Sequence, residues 1–453
     1  MSWIARIGDW LDRGSELGVE ALGTVLPQEW VRESLESCGV RTRRRRRLPC
    51  AMTVWLVVLL ALFRRHSYLN LLGMLEGSGW ATRYWSGRPP PCSTALTKAR
   101  DRLGIEPLAR LYRRSAGEWA EADGGHFFHG RRVCAIDGFT LKTWDSDENR
   151  AHFGAPGASR GASAFPQVRL VACLDVGTRV LPAVRFGPYA TAEITLAEDL
   201  RADLRPGSLV LLDRGFVAYG FLWNLVQQGN DFLVRARRKM KVRRLQQLGP
   251  GDFLVRVRVP RYLRTLRPEL PRTWILRQIV TEVPGSRVRR RLFTSLLDPK
   301  IRGVEIASLY PRRWDEEIAI DEIKTHLGDA ATVNRPLILR SRTPARVEQE
   351  IYGLLLAYNA VRRLMVQSAA AAPREQGDAI EPLRLSFTTT LERLREAIRD
   401  MMRLPPSQLA DRFAVFRSAV IRAQVVPRPG RSYPRAVRVK MSNYPLKRRR
   451  RAG

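Results

Sequence analysis

Cysteine is scarce and scattered in this chain. Its five thiols, Cys38, Cys50, Cys92, Cys134 and Cys173, form no C-x-x-C pair, which argues against a disulfide framework and against a zinc ribbon. Histidine is as thin, with five in 453 residues. His126 and His129 stand three apart, but no cysteine pair lies nearby to complete a metal site with them. No long membrane-spanning run is present either. The apolar stretch "CAMTVWLVVLLALF", residues 50–63, has 14 residues where about 20 are needed to cross a bilayer. It follows a basic run at 41–47, too far into the chain for an ordinary cleaved signal peptide. A buried helix in a cytoplasmic, reduced protein is the expectation, with no membrane partner. Internal repeats and long low-complexity tracts are absent too.

Acid is in deficit. Lys and Arg total 78 against 44 Asp and Glu, a formal net charge of +34. Such an excess opposes self-association and favours a polyanion. The basic residues run through the whole chain rather than beside one apolar anchor, so nucleic acid fits better than a membrane surface. The last 26 residues, 428–453, hold ten Lys or Arg and no acid; this is the composition of a solvated tail that contacts phosphate. An apolar fraction of 45% is ample for buried cores, and the length suggests two to four structural units at about 150 residues each.

Residues 1 to about 125 read as helical, with apolar positions at helical spacing over 51–76 and Ser93 as an N-cap after "RPPPC". From 131 the rhythm changes to strands. "RRVCAID" ends in Asp137, "PQVRLVACLD" and "TRVLPAVRFGP" follow, and "GSLVLLD" ends in Asp213. Helices at "AEITLAEDLRADL" and "GFVAYGFLWNLVQQG" and a strand "DFLVRAR" complete a βββαβαβ order, which predicts a mixed sheet flanked by helices. Between 236 and 304 three segments alternate apolar residues with Arg, as half-exposed strands do. Helices follow at about 344–370 and 387–403.

The segment "YPRRWDEEIAIDEIK" at 310–324 carries Tyr310, Arg313, Glu317 and Lys324 at offsets 0, 3, 7 and 14. On one continuous helix these fall within an arc of about 60°. Alone, that stripe is a solvated, ion-paired face. With Asp137 and Asp213 at the ends of apolar strands, where ligands bind in open α/β sheets, a second reading opens. Three carboxylates gathered without cations repel, and hard divalent ions such as Mg²⁺ or Mn²⁺ relieve that cost. Two such ions suit displacement at phosphorus, so a basic protein with this set points to phosphodiester chemistry. Asp321, at about 20° on the same helical wheel, is the rival third carboxylate.

At these residues the chain resembles bacterial transposases of the DDE type, in the group named insertion sequence four. The Tyr-x2-Arg-x3-Glu-x6-Lys signature is met without a gap at Tyr310, Arg313, Glu317 and Lys324. "AIDGFTLKTWDSDENRAHFG" and "LLDRGF" are similar to the two aspartate motifs, and "LFRRHSYLNLLGMLEGSGW" with "STALTKARDRLG" to the amino-terminal DNA-binding domain. The resemblance covers nearly the whole chain. It implies a mixed α/β fold with a ribonuclease-H-like catalytic core at 129–235 and 305–371 and a β insertion at 236–304. A helical DNA-binding domain at 1–128 and a helical, basic region at 372–453 complete the implied organisation. It further implies Asp137, Asp213 and Glu317 as catalytic ligands of two Mg²⁺ or Mn²⁺ ions, and Tyr310, Arg313, Lys324 and Arg214 as phosphate contacts. Trp274 is the candidate for stacking on a displaced base, with Trp314 as the alternative. The implied partners are double-stranded DNA, as terminal inverted repeats and target, and a second copy of the chain in a synaptic homodimer at the bacterial nucleoid. No small-molecule substrate is implied.

Overall fold

The computed structural model describes residues 20–41, 46–76, 78, 81–121, 125–158, 161–162, 165–237, 240–282, 289–328, 337–372 and 380–426. The basic tail at 428–453 lies outside them. The amino-terminal part is helical: α1 (Gln28–Ser37), α2 (Cys50–Leu62), α3 (Tyr68–Met74), α4 (Ser93–Leu103) and α5 (Glu106–Glu121). Helix α2 is apolar all round and almost entirely buried, the pattern of an interior helix. Ser67 caps α3 by accepting from the Asn70 amide. Helix α4 is preceded by Cys92 at the cap position, so Ser93 is its first residue and not the expected cap.

The central part begins with β1 (Arg131–Thr143), followed by a short helix α6 (Asp147–Phe153), β2 (Gln167–Asp175) and β3 (Ala183–Pro188). Then come α7 (Glu193–Arg201), β4 (Ser208–Leu212), α8 (Tyr219–Gln227) and β5 (Asp231–Arg235). The next stretch forms β6 (Val242–Gly249), β7 (Asp252–Arg258), helix α9 (Arg261–Leu266), β8 (Thr273–Glu282) and β9 (Arg289–Thr294). The spatial order is β3-β2-β1-β4-β5-β9-β8-β7-β6 in one sheet. Strands β1, β4 and β5 are parallel neighbours, and β9 joins antiparallel to β5 through Leu292↔Arg235. The strands after residue 236 therefore lengthen the main sheet instead of forming a sheet of their own.

Helices α10 (Gly303–Leu309), α11 (Trp314–Asp321), α12 (Pro344–Ala370), α13 (Phe387–Met401) and α14 (Pro406–Arg422) complete the chain. One sheet face packs on α7 and α8 through Ile136, Val210, Leu212 and Val234. The other packs on α10 and Tyr310 through Val133, Ala135, Leu209, Leu211, Leu233 and Leu292. The long α12 runs against α2. Gly353 permits that close approach, because a Cβ there would lie 2.8 Å from the Val57 carbonyl oxygen. Among the described residues no helix is long and apolar enough to cross a membrane.

Two further expectations need correction. Strand β1 does not stop at Asp137 but runs six residues further, because β2 continues to pair with it as far as Lys142↔Gln167. Only β4 leaves there, its last pair being Ile136↔Leu212. Residues 310–324 are not one α-helix. Tyr310–Arg313 form a 3₁₀ turn, α11 follows, and Glu322–Leu327 wind as a π-helix. Tight and wide turns rotate successive side chains by different amounts, so uniform wheel angles do not hold across the segment.

Candidate active site

Asp137 and Asp213 are the residues immediately after the last β1–β4 pair, Ile136↔Leu212. Side chains alternate along a strand, so both carboxylates emerge on the face that carries Val133, Ala135, Leu209 and Leu211. Each is held by a nearby amide. Asp137 Oδ1 accepts from the Gly138 amide at 2.8 Å, and Asp213 caps the turn Arg214–Phe216 by accepting from the Gly215 amide. Gly138 has a packing reason as well, since a Cβ there would come within 2.6 Å of the Glu193 carboxyl carbon.

The glutamate segment lies against this face, with α11 packed on β1. Arg313 is buried, 6% exposed, and forks between two acids. Its Nη1 donates to Asp137 Oδ2 at 3.1 Å and its Nη2 to Glu317 Oε1 at 2.7 Å. Residues 176 apart in sequence are thereby joined through one guanidinium. Burial pushes the Asp137 carboxyl up to about 6; the Gly138 amide and Arg313 oppose the rise, while Asp213 and Glu317 add to it. Asp213 and Glu317 are thus both within electrostatic reach of Asp137. Among the described residues no three acid, His or Cys side chains converge closely enough to hold one ion jointly.

Tyr310 is buried, and its hydroxyl donates to the carbonyl of Leu212 at 3.3 Å, pinning the 3₁₀ turn to the end of β4. Lys324 sits over the ring of Phe139, Nζ 5.5 Å from the centroid. Burial lowers its pKa, with Asp321 partly offsetting that. Phe139 follows Asp137 by two residues on the same strand face, so the strand rise places its Cα roughly 7 Å along β1 from that of Asp137. Asp321 turns elsewhere: its Oδ1 accepts from the Thr325 hydroxyl at 2.7 Å and it is solvent-exposed. Arg214 is exposed on the turn after Asp213. Trp274 is not brought to the site. It packs edge-on to Trp223 at 5.3 Å and Phe232 at 5.7 Å, on the opposite face of the sheet. Trp314, between Arg313 and Glu317, is 47% exposed.

Sequence reasoning passed over the residues that fix the segment. Asp315 is buried and bonded to Arg179 at 2.6 Å, and Glu322 binds Arg362 on α12. Glu316 is fully buried beside the Asp137 backbone amide, and neither of its oxygens has a well-formed hydrogen bond among the described residues. Burial raises its pKa well above the usual carboxylate range; the Asp137 carboxylate adds to the rise, while the Asp137 backbone amide and Arg313 oppose it. In "WDEEIAIDE" it looks like one more charge on a wet face, and nothing in composition separates it from Glu317.

Two family descriptions match the chain: the amino-terminal region of insertion element 4 transposases over residues 16–113, and the transposase DDE domain over residues 128–360. The chain is similar to the transposase InsG for insertion sequence element IS4 of Escherichia coli (strain K12). The two are 30% identical over 432 residues, which cover 94% of this chain and 93% of that protein. It is also similar to the putative transposase InsZ of the same organism, 33% identical over 206 residues, 45% of this chain and 66% of that protein. A cryo-EM structure of the piggyBac transposase synaptic complex with hairpin DNA aligns over 89% of this chain and 86% of that one. Its 10% identity and TM-score of 0.43 make the likeness too slight to carry an argument.

Proposed function

Because the chain belongs to the insertion-element-4 family of DDE transposases, we propose that it cuts double-stranded DNA at its element's terminal inverted repeats. The freed ends are then joined to target DNA, in a cut-and-paste reaction carried out by a homodimer. The observation that carries this reading is the Arg313 fork, which ties Glu317 to Asp137 beside the strand end bearing Asp213. The strand order β3-β2-β1-β4-β5, with β1 and β4 parallel, supports a ribonuclease-H-like core at 129–235 and 305–371. The domain at 1–128, the insertion at 236–304 and the region at 372–453 then flank that core.

The donor chemistry fits a hard divalent cation. Asp137, Asp213 and Glu317 are all oxygen donors, the latter two within electrostatic reach of Asp137, and burial pushes the Asp137 carboxyl up to about 6, with Asp213 and Glu317 adding to the rise. Asp137, Asp213 and Glu317 would hold Mg²⁺ or Mn²⁺, and two ions bound there would supply activation of the attacking oxygen and stabilisation of the leaving one. The remaining roles belong to the chain itself. Arg313 holds Asp137 and Glu317 in one place and limits their repulsion. Tyr310, buried against Leu212, fixes the turn that sets the height of Arg313 above the sheet, a positioning role in place of the expected phosphate contact. Lys324 and Arg214 offer cations to the DNA backbone near the acids. Trp314, half exposed, is the aromatic placed to stack on a displaced base, whereas the ring of Trp274 is committed to packing.

The test is incubation of the purified chain with Mg²⁺ and linear DNA carrying the element's flanking repeats, followed by sizing of the products. Breaks at the repeat boundary are expected, and none in DNA with scrambled ends. Uniform degradation of both DNAs would mean a nuclease without end recognition, and no breakage in either would mean a DNA-holding protein only.

A further inference from the structure

Three guanidinium groups converge around Tyr310, and only one of them is neutralised. Arg313 has its two carboxylates. Arg290, on β9, places its guanidinium carbon 5.3 Å from the Tyr310 ring centroid. Arg235 ends β5 and pairs in register with Leu292, which puts it on the same sheet face as Leu233, Leu292 and Tyr310. Strand alternation places Arg290 there too, two residues before Leu292. This is also the face on which Asp137 and Asp213 emerge. Neither Arg235 nor Arg290 has an acid partner among the described residues. The Nε of Arg290 is buried without a hydrogen-bond partner. Burial depresses its pKa; Tyr310 opposes that fall, and Arg235 and Arg313 add smaller depressions of their own.

Like charges gathered at a half-buried edge, with a guanidinium nitrogen left unbonded, cost free energy that binding an anion relieves. Guanidinium groups suit phosphate because their planar forks match its oxygens. We propose that Arg235 and Arg290 form a phosphodiester-binding site at the sheet edge beside Asp213, taking a backbone phosphate of the DNA strand held at the three acids. This rests on the DNA-cleaving reading for the identity of the strand, but not for the anion chemistry. The aromatic wall is the Tyr310 ring beside Arg290. The two arginines act as positioning residues: they anchor the strand next to the reacting phosphate without touching the reacting atoms.

The experiment measures binding of the full chain to a fluorescent duplex carrying the element's end, by anisotropy in EDTA across a range of NaCl concentrations. It compares wild type with Arg235→Gln, Arg290→Gln, the double variant and Arg290→Lys. Each Gln variant is expected to lower the log–log salt slope by about 0.9, and the double variant by about twice that. Arg290→Lys is expected to keep most of the slope, since the point charge survives. A purely structural role for Arg290 would lower stability and leave the slope alone, and exposed Arg235 keeps the test open if Arg290→Gln fails to fold. Unchanged slopes in Arg235→Gln and in any folded Arg290 variant would overturn the proposal. So would inorganic phosphate stabilising only wild type against heat while DNA slopes stay equal, which would make this a free-phosphate site. A wild type that shows these slope changes but never cuts DNA would overturn the endonuclease reading and leave the anion site standing.

Discussion

Replacing Arg313 by alanine removes the one cation between two acids, and the structure gives the size of the effect. The Arg313 side chain is 7% exposed, against 22% for Asp137 and 39% for Glu317. Breaking a buried pair from one side costs roughly 3–5 kcal/mol; the partial exposure of Asp137 reduces its share to about 2–3 kcal/mol. Glu317 is more than a third exposed, so water screens that contact and its share is under about 1 kcal/mol. The variant is thus expected to lose about 3 kcal/mol in metal-free buffer near pH 7.5. The loss depends on pH with a definite sign. Asp137 already has its pKa raised to about 6 with Arg313 present, and losing the cation raises it further. The ionised carboxylate is the form that costs stability, so the deficit grows as pH rises through that value and shrinks below it as Asp137 takes up a proton. Added Mg²⁺ should stabilise the variant more than wild type, because the acids then lack any other counter-charge. Urea unfolding in EDTA and in Mg²⁺, at about pH 5 and about pH 8, reads all of this. A deficit below about 1 kcal/mol, or one equal at both pH values, would refute the reasoning.

Glu316→Met replaces a buried carboxyl that lacks a well-formed hydrogen bond with an apolar side chain of similar length. It should raise stability by about 1–3 kcal/mol near pH 8. The raised pKa of Glu316 makes its burial costlier as pH rises, so the gain should fade toward pH 5; urea midpoints that drop instead would mean an unseen partner for Glu316. Trp274→Ala should cost about 2–4 kcal/mol by emptying the contact with Trp223 and Phe232, whereas Trp314→Ala should change thermal stability by under about 0.5 kcal/mol yet lower cleavage. The reverse pattern would exchange their roles. Asp321→Asn should leave cleavage largely intact, because its carboxylate is engaged with Thr325; complete inactivity would make Asp321 the third ligand.

Much of the core was legible in the sequence because its signals are local. Apolar runs closing on Asp137 and Asp213 mark the two parallel strands that part just before these residues, and the motif from Tyr310 to Lys324 marks the segment packed against them. The extent of β1 was not legible: its continuation past Asp137 depends on β2, a partner 30 residues later whose register no local pattern shows. Strand β6, "VRRLQQLG", escaped notice because most of its residues are exposed and no alternation develops. The change from 3₁₀ to α to π winding was invisible because wheel arithmetic assumes one pitch throughout. Glu316 and Glu317 cannot be told apart by type; only the turn of α11 sends one into the protein and the other toward Arg313. Arg235 and Arg290 come together solely through the β5–β9 pairing, and an arginine-rich sequence hides two that matter among many that do not.

The central claim is that Asp137, Asp213 and Glu317, though far apart along the chain, act as one centre on DNA. The most direct measurement is cleavage of end-bearing DNA in Mg²⁺ by wild type and by Asp137→Ala, Asp213→Ala and Glu317→Ala, with end binding followed in parallel. Loss of cutting in all three variants with binding retained is the expected result. Normal cutting by any one of them would contradict the account.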